Sequence, residues 1–420
     1  MTLYVFFNFA ENEKMPDISP SKIQKIRLRE HFDTSDLLAH AAKQAEEREL
    51  NKLLVIDVDS HHYEFDHWNE IAKYIDNKVI KHIATVLPTP STILNAPPMY
   101  QEMGDRIPRR IHRNLEKTNE GKHREIDITL RYMNAMGIDY NVLFPSPMLN
   151  LGLHPLAEIE VEMSRAYNRW LVENILAEEP RIMSLLYLPF NDPEESLKIV
   201  EEFGDKPGVH GFMVVSTHLK PVHDKSYMKL YAALEERGLS LAFHASYSWD
   251  AETSSRQMNK FLSVHALTFP YYLMIHLTNW LINGMPELFP KLRVCWVEGG
   301  IAYLPFIMLR LDHEYMMRTS EAPLLKGLPS DYMKKMYFTS QPLETPRNPS
   351  DLKPIFEMFN ADTQLLFSSD YPHWDFDVPS KIFDLPFLTE QARENILGLN
   401  ACHFLGIEPS SLPLYKSKAA

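Results

Sequence analysis

The chain has 420 residues, 45% of them hydrophobic, which is enough to bury a large core in one big barrel or in two domains. Its 56 acidic residues outnumber the 43 basic ones. The resulting formal charge of -13 argues against nucleic acid or an anionic membrane as partner, because both bind positive surfaces.

Residues 1–50 read as an N-terminal helical arm. Met1 to Glu11 carries an apolar patch, Leu3 to Phe9, without the basic flank or small-residue cleavage site of a signal peptide. Cys295 and Cys402 are the only cysteines, so no disulfide framework is available and a cytoplasmic location is expected. Asp33-Thr34-Ser35-Asp36 can cap a helix whose charged second half runs from Lys43 to Glu49. Such a helix packs on the body or is exchanged with a second copy. Packing on the body is the plainer reading, and the expected assembly is a homodimer.

From Leu53 onward, apolar strand-like runs alternate with helix-like segments. The runs are Leu53 to Val58, Asn141 to Phe144, Ile182 to Leu188, Val209 to Val215, Leu239 to Phe243, Leu292 to Val297, Met336 to Thr339 and Leu365 to Ser368. Helices are predicted between them, among others at Glu158 to Ala177, Pro193 to Phe203, Tyr227 to Arg237 and Asp351 to Phe359. Eight strands with continuous rather than alternating hydrophobicity suit a closed parallel (β/α)8 TIM barrel over residues 51–408, followed by a tail, 409–420. An open doubly wound sheet is the competitor, but no glycine-rich phosphate loop follows any run. The most apolar window, Phe269 to Ile282, is interrupted by His276 and Asn279 and is too short to cross a bilayer.

The long interval 65–139 after the first strand breaks the rhythm and reads as a lid-like insertion. It contains a basic cluster, Arg106, Arg109, Arg110 and Arg113, which is either a solvated helix face or an anion-binding group, with Arg109 the candidate for substrate.

Three of the runs end in side chains that ligate metals. The first continues into Asp59-Ser60-His61, where residues two apart share a face; the fifth ends at His244; the eighth leads to Asp370. Taken singly, each has an ordinary explanation as a helix cap or a satisfied polar group. In a barrel the strand ends converge on one mouth, so Asp59, His61, His244 and Asp370 would meet there. Two imidazoles and two carboxylates suit one divalent cation, with zinc, manganese and iron the candidates.

The segments Ile56-Asp57-Val58-Asp59-Ser60-His61, Phe243-His244 and Phe367-Ser368-Ser369-Asp370-Tyr371-Pro372-His373 resemble the amidohydrolase-related family of aminocarboxymuconate semialdehyde decarboxylase, within the amidohydrolase superfamily. The similarity spans most of residues 53–407. It implies a (β/α)8 barrel with one catalytic divalent metal, ligands falling on Asp59, His61, His244 and Asp370. Two departures stand out. An acid, Asp59, replaces the first histidine of the usual His-x-His pair. After the sixth strand, where the family usually places a histidine, this chain has Glu298.

Glu298 shares a face with Val294 and Trp296, so it is expected in the barrel mouth as a base, as a protonated acid, or as ligand to a second metal with help from Glu64. A plain hydrogen bond to a neighbouring loop is the structural alternative. Because Glu298 removes a feature the decarboxylases share, the first expectation is a metal-dependent hydrolase acting on a small ester, amide or thioester. In that reading Asp370 takes a proton from metal-activated water, and His373, His218 and His62 are candidate donors to the substrate. The alternative is a non-oxidative decarboxylase of a small aromatic or unsaturated acid, in which an arginine of the basic cluster grips a carboxylate. Tyr63, Trp68, Tyr247, Trp249 and Trp374 flank the expected mouth and could wall an apolar small-molecule substrate, or simply pack.

Overall fold

The computed structural model describes residues 34–86, 121–215, 220–246, 255–373 and 375–419. Eight strands lie in one parallel sheet in chain order: β1 Ile56–His62, β2 Tyr140–Pro145, β3 Ile182–Tyr187, β4 Val209–Val215, β5 Ser240–His244, β6 Val294–Val297, β7 Tyr337–Thr339 and β8 Leu365–Leu366. Every residue of β1, β2, β3, β5 and β6 is buried. A strand covered on both faces has no polar side to show, which is why β2, β3, β5 and β6 read as largely apolar runs, whereas β1 also buries Asp57, Asp59, Ser60, His61 and His62.

The first and last strands meet along a seam. Val58 N–H donates to the Phe367 carbonyl at 3.1 Å, Asp370 N–H to the Asp59 carbonyl at 2.7 Å, and His61 N–H to the Tyr371 carbonyl at 2.7 Å. These bonds draw the chain just past β8 against β1 and bring the sheet round into a (β/α)8 barrel.

The helices of the outer layer include α1 Thr34–Glu47, α2 Trp68–Ile71, α3 Lys78–Val86, α4 Arg124–Met136, α5 Ala157–Leu171, α6 Pro193–Phe203, α7 Met228–Glu236, α8 Phe261–Ile282 and α9 Tyr303–Met317. The predicted helix 193–203 is found with the same bounds, because Asp192 caps it by accepting from Glu195 N–H and Pro193 supplies a first-turn residue that needs no donor. The helix expected from Glu158 to Ala177 ends as α5 at Leu171 and widens into a single π-turn, Val172–Leu176. The one expected from Asp351 to Phe359 is shorter, Lys353–Met358, after a 3-10 turn at Pro349–Leu352. The arm helix α1 packs on α4 and buries Leu38 and Ala41, and Arg48 just beyond it pairs with Asp384 at 2.6 Å. No described helix is long and apolar enough to cross a membrane.

The ends of β1 and β8 differ from the sequence reading, each for its own reason. β1 runs on to His62 instead of stopping at Val58, since Ser60, His61 and His62 keep their pairing with Leu143, Phe144 and Pro145. β8 stops after two residues because side chains replace ladder bonds. Ser368 N–H goes to Ser340 Oγ at 3.1 Å and Ser369 N–H to Asp57 Oδ1 at 2.8 Å. Within the interval 65–139, α2, α3 and α4 are described, and α4 is the barrel's own link from β1 to β2. The stretch 87–120, with Arg106, Arg109, Arg110 and Arg113, lies outside the described residues, as do His218, Tyr247, Trp249 and Trp374.

Candidate metal centre

Asp59 and His61, both buried, come from β1, and His244 is the last residue of β5. Asp370 follows β8 in a left-handed backbone conformation, φ 59°, which swings its side chain across the seam. The four side chains converge. His61 Nε2 lies 3.1 Å from Asp59 Oδ1 and 3.3 Å from Asp370 Oδ1, and His244 Nε2 lies 3.3 Å from Asp59 Oδ1. Donors bound to one cation at about 2.0–2.2 Å stand roughly 3 Å apart, so Asp59, His61 and His244 have the spacing of a ligand set, which Asp370 joins through His61. Both imidazoles are fixed from behind: His61 Nδ1–H donates to the Pro145 carbonyl at 3.0 Å and His244 Nδ1–H to the Ala245 carbonyl at 2.6 Å. Each ring therefore turns an Nε2 lone pair to the centre.

The charges call for a cation. Two buried carboxyl groups share the site, and among the described residues neither Asp59 nor Asp370 pairs with a lysine or arginine. Burial works to raise the Asp59 carboxyl, but the charge and hydrogen bonds of His244 and His61 outweigh it and hold the group below the ordinary carboxylate range. Burial pushes Asp370 well up and His61 down. Asp59 Oδ2 and His61 Nε2 are buried with no hydrogen-bond partner, which a polar atom in a dry site rarely tolerates. A divalent cation satisfies both atoms and offsets both charges, so the residues present fit the metal that the sequence led us to expect.

Around this set lies a second group. His373 Nδ1 meets Asp370 Oδ1 at 2.5 Å, and its Nε2 faces Ser146 Oγ at 3.2 Å. Gln341 Nε2 donates to Asp370 Oδ2 at 3.1 Å. Asp57 accepts from Ser369 N–H at 2.8 Å and Ser369 O–H at 2.5 Å, and burial still pushes its carboxyl up to about 8. Sequence reasoning missed Asp57, Ser146 and Gln341. Only Asp57 left a usable trace, since it alternates with Asp59 and His61 along β1.

Glu298 reaches the mouth, though not by strand alternation. β6 ends at Val297, and Glu298 takes a left-handed conformation, φ 65°, with its N–H given to Thr339 Oγ1 at 2.9 Å. Its Oε2 stands 3.5 Å from His244 Nδ1. A cavity of about 380 Å3 opens beside it, lined among others by His265, Phe269, Tyr303, Pro342 and Asp375. Glu64, suggested as its partner at a second metal, is committed elsewhere: its buried carboxyl group accepts from Ser146 N–H at 3.1 Å and Met148 N–H at 2.5 Å. His62 points away from the centre, with Nε2 2.8 Å from the Tyr167 hydroxyl and its ring stacked on Trp170. Trp68 is buried in the core, edge-on to Phe65, with its indole N–H donated to the Ala84 carbonyl at 2.8 Å. The other expected substrate contacts, Arg109, His218, Tyr247 and Trp374, lie outside the described residues.

Comparison with known proteins bears on family and fold. A family profile described as amidohydrolase matches residues 58–407. A 2-amino-3-carboxymuconate-6-semialdehyde decarboxylase of Dictyostelium discoideum is 21% identical over 68% of this chain and 77% of its own length. A gamma-resorcylate decarboxylase of Rhizobium sp. (strain MTP-10005) is 24% identical over 67% of this chain and 88% of its own. Among solved structures, a dihydroxybenzoic acid decarboxylase from Polaromonas sp., holding manganese and 2-nitroresorcinol, superposes with a TM-score of 0.58 at 18% identity, over 84% of this chain and 97% of that one.

These relatives are decarboxylases, which overturns the expectation of a hydrolase. That expectation rested on Glu298 replacing a histidine, yet Glu298 still brings an acid–base side chain to the end of β6 beside His244, so its identity does not select attack by water. Since the profile runs from β1, where the first donors sit, to well beyond the last of them, the chain belongs to the amidohydrolase family.

Proposed function

We propose that this enzyme removes the carboxylate of a small aromatic or unsaturated acid as CO2, without oxidation, at one divalent cation held by Asp59, His61, His244 and Asp370. The observation that carries the reading is the buried chain of contacts at 3.1–3.3 Å that links His244 to Asp59, Asp59 to His61 and His61 to Asp370. The relatives' description as decarboxylases supports this reaction type. Manganese, zinc and iron all suit two imidazoles and two carboxylates, and a neighbour in fold carries manganese.

Asp59, His61, His244 and Asp370 would hold the cation, which would supply Lewis acidity to a substrate carboxylate in the mouth. Glu298 holds a proton on a carboxyl oxygen and passes it to the ring carbon that bears the carboxylate. The bond from that carbon to the carboxylate then breaks. Its electron pair returns to the ring, CO2 leaves, and Glu298 recovers a proton from solvent. His373, gripped between Asp370 and Ser146, holds the Asp370 carboxylate in orientation. Phe269 and Tyr303 give the cavity apolar walls that suit a flat ring and keep water away from it.

The test is incubation of metal-replete protein in heavy water with a panel of hydroxybenzoates, 2,6-dihydroxybenzoate among them, and with unsaturated carboxylic acids. CO2 release with one deuterium on the vacated carbon is expected. Failure of every acid in the panel to lose CO2 above the protein-free rate would refute the reading.

A further inference from the structure

The cavity beside Glu298 is not walled by apolar groups alone. Glu298, Glu344 and Asp375 line it with carboxyl groups, and His265 is the basic side chain among its described lining residues. His265 Nε2 faces Asp375 Oδ2 at 3.6 Å, and Gln341 Nε2 lies 3.4 Å from the same oxygen. These contacts moderate the charge of Asp375. Glu344, among the described residues, is held by backbone alone. Ile301 N–H donates to its Oε2 at 3.1 Å and Oε1 at 3.2 Å, and Ala302 N–H donates to Oε1 at 2.9 Å.

Those two N–H groups stand at the start of α9, where unsatisfied amides and aligned peptide dipoles make a seat for an anion. The chain reaches it through a tight turn. Glu298 and Gly300 are both left-handed, φ 65° and 67°, and a Cβ on Gly300 would come within 2.6 Å of Glu344 Oε1. Glycine at this position leaves room for the carboxylate to rest on the turn. A carboxylate of the chain itself thus fills the place on the cavity wall where the helix would otherwise draw an anionic group of a ligand.

We propose, resting on the decarboxylase reading above, that Glu344 determines specificity: it excludes acids with a second carboxylate and favours those whose ring carries a hydroxyl or amino group besides the carboxylate that is lost. A second carboxylate entering the cavity meets like charge and finds the α9 amides already taken. A hydroxyl or amino group instead donates to Glu344 or Asp375, since ionised carboxylates accept hydrogen bonds and give none.

The test is binding to the full-length, metal-replete protein, measured by calorimetry with two acids built on the same ring, 3-hydroxybenzoate and benzene-1,3-dicarboxylate. The parent should bind the hydroxy acid more tightly by about 10-fold or more. Glu344→Gln keeps an oxygen for the Ile301 and Ala302 N–H groups but removes the charge, so it should narrow the ratio. Glu344→Ala bares both N–H groups and should narrow it further, through tighter binding of the dicarboxylate. Circular dichroism checks that each variant is folded. Equal affinities in the parent, no measurable binding of either acid, or an unchanged ratio in a folded Glu344→Gln protein would overturn the proposal. CO2 release is assayed separately: a parent with the expected preference that decarboxylates no acid would support the role of Glu344 while refuting the reaction.

Discussion

His61 Nε2 stands 3.3 Å from Asp370 Oδ1, across the seam between the first and last strands. Asp370 has no lysine or arginine partner among the described residues, and on the proposed reading it shares a cation with His61. Asp370→Asn should therefore lower bound metal far below one equivalent and reduce decarboxylation by more than about 10²-fold. Elemental analysis beside a CO2 assay checks both effects, and circular dichroism confirms that the barrel persists.

Glu298→Gln keeps the shape of the side chain but not its proton. Bound metal should be unchanged while turnover falls by about 10²-fold or more, with Glu298→Asp between the two. Equal rates for Gln and Glu would remove Glu298 from the chemistry and leave it a neighbour of His244.

The ends of β1, β5 and β8 were legible because each apolar run stops at a side chain that ligates metals, and barrel topology gathers such ends. Glu298 was placed in the mouth for an incomplete reason: a left-handed turn past β6, and not strand alternation, aims it there. Asp57, Ser146 and Gln341 were illegible for a different reason. Their roles are defined by partners far away in the chain, Ser369, His373 and Asp370, and a serine or glutamine after a strand carries no local signal of such pairing. Trp68 misled because an aromatic near a strand end reads the same whether it faces a substrate or, as here, the core.

Glu64 should leave a mark on stability as a function of pH. Burial raises its carboxyl from the ordinary 4.5 to about 8 in the folded protein. Between those values the folded state keeps a proton that the unfolded chain has released. Its contribution is therefore fully present below 4.5 and lost as pH rises through about 8. Thermal midpoints of the chelated protein should fall over this window, and Glu64→Gln should flatten the fall. An unchanged slope in the variant would show that other groups set it.

Gly211 in β4 packs directly on β5, and a Cβ there would run into the backbone carbonyl of Ser240. Gly211→Ala should push the two strands apart and cost about 1–3 kcal/mol or more of stability. Because β5 ends in His244, metal affinity should weaken as well, which a competitive metal titration on the folded fraction reads separately from the melting temperature.

The seam also orders events during synthesis. A nascent chain that has emerged only through β7 carries Asp59, His61 and His244 but leaves the outer edge of β1 bare, a template on which another chain could pair. Arrival of residues 365–371 covers that edge and delivers Asp370 in the same movement. On the proposed reading, tight cation uptake thus waits until residues 365–371 have emerged, and a product terminated before them would be both metal-poor and prone to aggregate.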